Sequence, residues 1–453
     1  MLDQTLSLFV TTGTYPTRAG NAVQLLIDGE PAFRRVCQAI ETAQHSVWAT
    51  ITFMWSDFQM PDGRGTALEV LDRAAKRGVD VRLIFWRPDD QTASLRRNAF
   101  WGAPEHLELL EQQQPQISIR WDCAQAGFCQ HQKTWLVDGQ TAFLGGINLN
   151  PHSMVAPGHH GENQNHDLYI ELVGPAVADV QHNFVQRWNE ASQRQTSLWG
   201  IRADTNLEFP TQLPLEQGLA TVQIQRTIHA GRYTNRQAPV NGLPFDIALG
   251  EKTNFEQYCA AIDSAQRSIY IENQCLELLE IVEALHLALE RGVEVVLLLP
   301  IMPDLAAPMR LALLESRAAL GAYDNFTLAG MAGLGTDGQR KPVWVHSKLM
   351  LIDDTWATIG SANLHRWSMF GNSELNAAIF SPELVRGFRV ALLSEHLSLD
   401  TSKLDDVAAL RQFKQIASAN RQRLRQGDHA WQGLAVTLDI LSYGKTPPIG
   451  WST

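Results

Sequence analysis

The sequence predicts an α/β protein built from two similar halves, and three observations support this fold class. The chain has 453 residues, 45% of them hydrophobic, which is more than one ordinary core holds and indicates two globular domains. The sequence repeats itself once along its length. In each copy a helical stretch ends at a glycine and a buried strand follows, which is the α/β rhythm.

The first repeated element is a helix end that runs into a strand. Residues 39–48 (AIETAQHSVW) reappear as residues 261–270 (AIDSAQRSIY). Residues 77–85 (RGVDVRLIF) likewise reappear as residues 291–299 (RGVEVVLLL). The glycine of each second segment suits the C-terminal cap of a preceding helix, and the apolar run after it predicts a buried strand.

The repeat continues into a polar motif, His-x-Lys-x4-Asp, at one constant offset. The matched positions of the first and second copy are His131 and His346, Lys133 and Lys348, Asp138 and Asp353, Gly145 and Gly360, and Asn148 and Asn363. A single motif of this kind is a weak signal, whereas two copies inside a matched repeat are a strong one.

A second short strand is predicted after each motif, at residues 167–172 and 374–379. Each strand leads to a helix that opens with Pro175 or Pro382, and proline fits a first helical turn. Asp167 and Glu374 precede their prolines by the same interval. We therefore treat these two carboxylates as equivalent positions.

The chain divides into a first domain at residues 1–198, a linker at 199–218 and a second domain at 219–453. The linker contains two prolines and shows little periodicity. Residues 158–165 and 302–341 are predicted to be irregular insertions. Such segments beside a motif are where substrate loops usually lie.

The paired motifs predict a phosphoryl-transfer site. A His and a Lys two positions apart in an extended strand point to the same side. Covalent cleavage of a phosphodiester needs a nucleophile and an acid on opposite sides of phosphorus, and one neutral and one protonated imidazole can fill these roles near pH 7. Lys133 and Lys348 can offset the charge on the phosphoryl oxygens without a metal ion.

Further residues are predicted to assist the two histidines. Asn148 and Asn363 can donate hydrogen bonds to a phosphate, and the small residues Gly146 and Ser361 allow backbone N–H groups to approach an anion. Each catalytic His also needs an acceptor on its second ring nitrogen.

Two pairs of carboxylates could be that acceptor, and Asp167 and Glu374 are the symmetric candidates. Asp138 and Asp353 lie about five residues past the motif lysines and face the other side of the strand by parity. We therefore expect Asp138 and Asp353 to have a structural role at the strand turn.

On these residues the chain resembles the phospholipase D superfamily, whose members carry two His-x-Lys-x4-Asp motifs followed by Gly-Gly or Gly-Ser and an Asn. The resemblance covers both halves to about residue 398 and implies two pseudo-symmetric α/β/α sandwich domains with the active site at their interface. It also implies a phosphohistidine intermediate, with His131 as nucleophile, His346 as general acid and Asp167 and Glu374 as their partners. No metal or other cofactor is expected.

Two stretches narrow the expected activity. Residues 268–274 and 368–374 resemble segments of phospholipases D, whereas residues 363–368 (NLHRWS) depart from the Asn-Leu-Asp-x-Arg-Ser of cardiolipin synthases. We expect a phospholipase D that hydrolyses glycerophospholipids such as phosphatidylcholine and transfers the phosphatidyl group to alcohols. The alternatives are a cardiolipin synthase, a nuclease of the same superfamily, which the net charge of -11 disfavours, and an inactive lipid-binding module.

The first half also contains four histidines in residues 152–166: His152, His159, His160 and His166. Their spacing fits no standard metal-ligand pattern. We expect a polar loop near the mouth of the site, with His166 as a candidate substrate contact.

The expected surroundings follow from composition. We expect a monomer that meets phospholipid at a membrane or micelle surface and binds no nucleic acid. The N-terminus lacks the pattern of a signal peptide and no apolar run is long enough to cross a bilayer, so we expect a cytoplasmic protein or one exported by a non-classical route. Tryptophans suited to a membrane interface occur near segments that open toward the site: Trp55, Trp86, Trp101, Trp344 and Trp367.

Overall fold

The computed structural model describes residues 8–88, 104–113, 116–125, 127–192, 205–302 and 311–444. The strands of the first half are β1 (Arg18–Ile27), β2 (Ser46–Ile51), β3 (Gln59–Met60), β4 (Gly65–Thr66), β5 (Asp80–Trp86), β6 (Ser118–Asp122), β7 (Thr134–Val137), β8 (Thr141–Gly145), β9 (Asn165–His166) and β10 (Leu168–Val173). Its helices are α1 (Gly29–Thr42), α2 (Ala67–Lys76), α3 (Pro104–Gln113) and α4 (Val177–Glu190).

The second half repeats the main elements of this series, with further short elements between them and a helix and a strand added at its end. Its strands are β11 (Ala220–Ile228), β12 (Glu251–Lys252), β13 (Ser268–Glu272), β14 (Leu276–Glu277), β15 (Glu294–Leu298), β16 (Phe326–Leu334), β17 (Arg340–Val345), β18 (Leu349–Ile352), β19 (Trp356–Gly360), β20 (Leu364–His365), β21 (Glu374–Phe380) and β22 (Ala435–Thr437). Its helices are α5 (Thr253–Ser264), α6 (Leu279–Glu290), α7 (Leu311–Ala319), α8 (Arg366–Phe370), α9 (Pro382–Leu397) and α10 (Asp406–Arg425).

The strands of both halves pair in the same order. In the first half β6, β5 and β2 are parallel neighbours, and β7, β8, β10 and β1 continue the sheet in antiparallel pairs. In the second half β16, β15 and β13 are followed in the same way by β18, β19, β21 and β11. Because β1 also pairs with β11, one sheet runs through both halves.

Helices cover both faces of the sheet in each half. In the first half α1 and α2 pack on one face through residues such as Phe33 and Leu71, and α4 packs on the other through Phe184 and Trp188. In the second half α5 and α6 cover one face, and α9 and α10 cover the other. The predicted pair of α/β/α sandwiches is therefore confirmed.

The repeated elements occupy the predicted places. Three residues separate α1 from β2, and three separate α5 from β13, each at its predicted helix-to-strand junction. Gly78 and Gly292 have φ of 93° and 86°, a left-handed conformation that glycine adopts without strain after a helix.

One predicted insertion is wrong. Residues 302–341 were predicted to be irregular, but they contain α7, β16 and the start of β17, while residues 303–310 lie outside the described residues. Strand β16 is buried at all but its last position, so both its faces are covered and no polar alternation marks it as a strand. Its many glycines and alanines resemble the composition of a loop, which led to the wrong prediction.

The boundaries between the halves are only partly visible. The predicted linker falls outside the described residues at 199–204, and its residues 205–218 form no helix or strand. Residues assigned to the first domain by position also contact the second half, since Phe9 packs in the core with α5 and α6 and the Thr14 hydroxyl donates to Glu251. Within the described part of the chain every helix is too short or too polar to cross a membrane.

Candidate active site

The two motif segments lie side by side, each held by the opposite half. His131 and Lys133 precede β7, and His346 and Lys348 precede β18. The His131 backbone N–H donates to the carbonyl of Ser373 at 2.8 Å. The equivalent N–H of His346 donates to the carbonyl of His166, also at 2.8 Å. Each histidine is therefore positioned by a strand-like pairing with the other half.

The side chain of each motif histidine also has its partner in the opposite half. Nδ1 of His131 lies 2.9 Å from Oε2 of Glu374, and Nδ1 of His346 lies 2.6 Å from Oδ2 of Asp167. A carboxylate at Nδ1 fixes the proton there and leaves Nε2 as the free nitrogen. The sequence predicts these acceptors by type but not that each comes from the opposite half.

Glu374 is held more firmly than its counterpart. Besides His131, it accepts hydrogen bonds from the hydroxyl of Ser361 at 2.6 Å, from that of Ser368 at 2.5 Å and from the amide of Asn372 at 3.3 Å. Burial alone would raise the pKa of Glu374, but His131, the charge of Lys133 and the hydrogen bond from Ser361 hold it below its usual value. Neither Ser368 nor Asn372 was predicted from the sequence to belong to the site.

Gly146 and Ser361 lie beside the carboxylates of Asp167 and Glu374 and do not present their backbone N–H groups to an anion, which differs from the expected role. The N–H of Gly146 donates to the Leu168 carbonyl at 3.0 Å, and that of Ser361 donates to the Leu375 carbonyl at 3.1 Å. A Cβ at position 146 would lie 2.3 Å from Oδ1 of Asp167. Asp167, the residue before β10, therefore requires glycine at position 146. The backbone N–H groups of Gly146 and Ser361 both have carbonyl acceptors, so neither is left for a phosphate.

The two lysines are buried beneath the histidines. Lys133 donates to the carbonyl of His131 at 2.7 Å and lies 3.3 Å from the Thr52 hydroxyl, while Lys348 donates to the carbonyl of His346. Burial lowers the pKa of Lys133 to about 7 and that of Lys348 to about 8. Both ammonium groups therefore titrate near neutral pH.

Burial favours the neutral form of both histidines. Burial lowers the pKa of His131 and of His346 to about 4, which differs from the expectation of one neutral and one protonated ring. An anion placed beside an imidazole favours its charged form. A bound phosphodiester would therefore raise both pKa values and make one ring available as an acid.

The two motif asparagines occupy equivalent positions in the two halves. The buried side-chain oxygens of Asn148 and Asn363 have no hydrogen-bond partner among the described residues. Because the two ends of an amide can exchange places by rotation, each asparagine can present its NH2 group to a phosphate.

One cavity of about 660 Å³ is lined by four of the predicted site residues, His131, His346, Asn148 and Asn363. Lys133 and Lys348 are buried and do not belong to its lining. The cavity lies beyond the carboxyl ends of β2 and β5, where α/β sheets usually bind ligands. The aromatic part of its wall consists of Phe53, Trp55, Trp86, Phe128, Trp344 and Trp367. Trp101 lies outside the described residues.

Sequence reasoning missed several polar residues of this wall. Gln274, His365 and Asn165 line the cavity. Asn165 lies two positions before Asp167 in an extended segment, so the two side chains point to the same side. This spacing could have identified Asn165 as a site residue from the sequence. The other two belong to stretches that entered the sequence analysis only as family resemblances.

Asp138 and Asp353 lie at the far ends of the motif strands and reach the helix-to-strand junctions. The Asp138 carboxylate accepts from the backbone N–H groups of Gln44, His45 and Ser46 at 2.7–2.9 Å. Asp353 accepts from the matching residues 266–268 at 2.8–2.9 Å. Both adopt positive φ, 53° and 54°, which aspartate tolerates better than most residues.

The histidine-rich segment divides into different environments. His152 lines the cavity and His160 is exposed, but His159 and His166 are completely buried. The ring of His166 lies between Asp28 and Glu272 at 3.1 and 3.0 Å. It is therefore not placed to touch substrate, contrary to the expectation.

Comparison with known proteins gives a family match in both halves. The family described as "Cardiolipin synthase, PLD-like domain" matches residues 36–188 and 258–394, which together are more than half of the chain. The family described as "Phospholipase D" matches residues 153–277.

Relatives and a solved structure agree with this match. A cardiolipin synthase of Listeria monocytogenes serotype 4a is 24% identical over 407 residues, 86% of this chain and 72% of the relative. Cardiolipin synthase A of Pseudomonas entomophila is 30% identical over 371 residues, 80% of this chain and 66% of the relative. The crystal structure of phosphatidylserine synthase from Haemophilus influenzae shares the fold, with a TM-score of 0.58 at 12% identity over 93% of this chain and 98% of that one.

These relatives overturn the expected phospholipid hydrolysis. The departure at residues 363–368 favoured a phospholipase D over a cardiolipin synthase. The relatives that match most of the chain are nevertheless named cardiolipin synthases. One local stretch therefore carries less weight than a resemblance that extends through both halves.

Proposed function

Because the chain belongs to the phospholipase D superfamily, we propose that it is a phosphatidyltransferase that joins two phosphatidylglycerol molecules into cardiolipin and releases glycerol. The observation that supports the reaction type is the crossed arrangement of the two histidines in one cavity. Each has its Nδ1 tied to a carboxylate of the other half and its Nε2 left free. The lipid class follows from the names of the relatives.

In the first step Nε2 of His131 attacks the phosphorus of one phosphatidylglycerol. The bond between phosphorus and the headgroup glycerol oxygen breaks, and His346 gives its proton to that oxygen, so that glycerol leaves as a neutral alcohol. Lys133 and Lys348, with Asn148 and Asn363, offset the negative charge on the phosphoryl oxygens.

In the second step a headgroup hydroxyl of another phosphatidylglycerol replaces glycerol. His346, now neutral, takes the proton of this hydroxyl while its oxygen attacks phosphorus, and the phosphorus–nitrogen bond to His131 breaks. The two steps exchange one alcohol for another and consume no cofactor. Water at the same place would give phosphatidate instead, so transfer requires the lipid alcohol to displace water.

The wall of the cavity suits a lipid acceptor. Trp367 is 51% exposed and belongs to the same wall as Trp55 and Trp344. An indole combines a large apolar surface with one N–H donor, which suits the boundary between lipid headgroups and chains. The mouth can therefore receive a headgroup while its rim contacts the membrane surface.

The test is product analysis with vesicles made of phosphatidylglycerol alone. We expect cardiolipin and glycerol in equal amounts, measured by mass spectrometry of the lipids and an enzymatic assay of glycerol. His131→Asn and His346→Asn should each lower the rate about a thousandfold or more.

His160→Asn is the matched control, because His160 is exposed and lies outside the cavity wall. This variant should retain the wild-type rate. Formation of phosphatidate without cardiolipin would contradict the proposal, as would a rate that both active-site variants retain.

A further inference from the structure

A second cluster of titratable side chains lies outside the cavity and is completely enclosed. Asp28, His159 and His166 come from the first half, and Glu395 comes from α9 of the second. The side chains of the first three are 0% exposed and that of Glu395 is 7% exposed. One potential ligand atom from each lies within 4.8 Å of the other three.

Several atoms of this cluster lack the hydrogen bonds that burial normally requires. Both ring nitrogens of His159, Oδ2 of Asp28 and Oε2 of Glu395 are buried without a hydrogen-bond partner among the described residues. Nε2 of His159 nevertheless lies 3.2 Å from Oδ2 of Asp28 and 3.4 Å from Oε1 of Glu395. Buried polar groups without partners are costly, and a cation bound by Nε2 of His159 together with the carboxylates of Asp28 and Glu395 would lower that cost.

The spacing of the atoms fits four-coordinate binding. A tetrahedral ion with bonds of about 2.0–2.2 Å to nitrogen and oxygen separates neighbouring ligand atoms by roughly 3.3–3.6 Å. The separations of His159 Nε2 from Asp28 and Glu395 fall at or just below this range, and Nδ1 of His166 lies 3.1 Å from the other oxygen of Asp28, Oδ1. One potential ligand atom from each of the four residues lies within 4.8 Å of the others, so a contraction of the cluster would bring all four onto one ion.

His166 also has the outer partner that metal-bound histidines usually have. Its Nε2 lies 3.0 Å from Oε2 of Glu272, a fully buried carboxylate whose other oxygen accepts from the Tyr270 hydroxyl at 2.8 Å. A carboxylate on the second ring nitrogen fixes the tautomer and orientation of a ligating imidazole. This arrangement directs Nδ1 of His166 toward the cluster.

We propose that Asp28, His159, His166 and Glu395 bind one divalent transition-metal ion, of which Zn²⁺ fits best, in a buried structural site that joins the two halves. The donor set of two imidazoles and two carboxylates, without sulfur, is one that Zn²⁺ accepts in four-coordinate form. Four protein ligands leave no open position, which is the pattern of a structural rather than a catalytic zinc site.

The ion would position the active site without taking part in phosphoryl transfer. The N–H of Asp28 donates to the carbonyl of Asp167 at 2.8 Å, and the N–H of Asp167 lies 3.2 Å from Oδ1 of Asp28. The carbonyl of His166 accepts from the N–H of His346. Two of the proposed ligands, Asp28 and His166, therefore hold the backbone that carries the Asp167–His346 pair.

The first measurement is the metal content of the full-length protein. After dialysis against a chelator and then against Zn²⁺, we expect one equivalent per chain by inductively coupled plasma mass spectrometry. The reconstituted protein should melt about 5–10 °C above the chelator-treated one. X-ray absorption at the zinc edge should show only nitrogen and oxygen neighbours, with the outer scattering of imidazole rings.

Two adjacent histidines give a matched pair of variants. His159→Gln should lose the bound zinc and the gain in melting temperature, whereas His160→Gln, which changes the exposed neighbour, should keep both. Glu395→Gln provides a second test, because its remaining oxygen can still accept from the Gly158 N–H that Glu395 now binds at 3.0 Å. It should lower zinc binding at least tenfold.

Binding of less than about a tenth of an equivalent by the wild type would overturn the proposal, as would equal binding by His159→Gln and His160→Gln. In the first case the cluster is held together by shared protons, with His166 charged between Asp28 and Glu272. In the second case the zinc is adventitious. Neither outcome bears on cardiolipin formation, which the vesicle assay tests separately.

Discussion

His131 and His346 show how far a repeat can predict a site. The constant offset between the two motifs identifies both histidines and both lysines, and equal spacing from a proline identifies Asp167 and Glu374. Equivalence in sequence does not say how the halves pack, so the crossing of each pair was not predictable. The same limit applies to Gly146. A side chain at position 146 would clash with Asp167, and this clash arises only because the two residues lie beside each other at the ends of neighbouring strands.

The depressed lysine pKa values predict an early alkaline limb in the pH profile. An ammonium group binds phosphate only while it is protonated, so activity is present below its pKa and is lost as the pH rises through it. With values of about 7 and 8 for Lys133 and Lys348, we expect kcat/KM to fall between roughly pH 7 and 9. An exposed lysine would delay this fall to about pH 10.

Lys133→Arg is the control for this prediction. Guanidinium stays protonated in this range, so any activity that the variant retains should begin to fall near the pKa of Lys348, about 8, rather than near that of Lys133, about 7. The measurement is the initial rate at low substrate concentration from pH 5 to 10. A wild-type profile that stays flat to pH 9.5 would contradict the assignment.

At the scale of elements, each motif strand ends in an aspartate that joins it to an earlier helix-to-strand junction. Parity predicts that Asp138 and Asp353 face away from the site, and the structure adds their partners, three backbone N–H groups each. Burial would raise the pKa of Asp138, but these donors lower it below its usual value. The two aspartates thus bind β7 and β18 to the junctions before β2 and β13.

Asp138→Asn and Asp353→Asn test this structural role. An amide has one acceptor oxygen where the carboxylate has two and carries no charge, so each change should cost about 1–3 kcal/mol of stability. Asparagine still tolerates the positive φ. Melting temperature measures the effect, and Asp57→Asn, an exposed side chain, should leave it unchanged. A large loss of activity at an unchanged melting temperature would indicate a catalytic role instead.

The elements that the sequence predicts poorly share a physical cause. Strand β16 is buried on both faces and therefore shows no alternation of polar and apolar residues. Its glycines are typical of loops in other contexts. The strands next to the motifs were predictable because a second copy of each confirmed the pattern.

At the scale of the whole molecule, the continuous sheet through β1 and β11 makes one active site out of two halves. The proposed metal cluster spans the same boundary. Its ligands lie at positions 28, 159, 166 and 395, so the spacing within residues 152–166 could not reveal it. Only the packing of the complete chain brings them together.

A substitution at Trp367 tests the proposed contact between the protein and a membrane. We expect Trp367→Ser to lower the rate on phosphatidylglycerol vesicles about fivefold or more, because an exposed indole contributes apolar contact with lipid. The rate on short-chain monomeric phosphatidylglycerol should change little. Leu287→Ser is the control, since Leu287 is 53% exposed, close to the 51% of Trp367, and lies on α6 outside the cavity wall. Equal losses on both substrates would assign Trp367 to the chemistry rather than to the surface.

The central claim is a covalent transfer in which the halves supply different catalytic groups, and trapping the intermediate tests it most directly. In His346→Asn, a phosphatidyl ester with a nitrophenol leaving group needs no acid for the first step, while the second step lacks its base. We predict a phosphatidyl adduct on His131, mapped by mass spectrometry of peptides kept at neutral pH, and no adduct in His131→Asn. Release of nitrophenol without an adduct, or an adduct on another residue, would contradict the account.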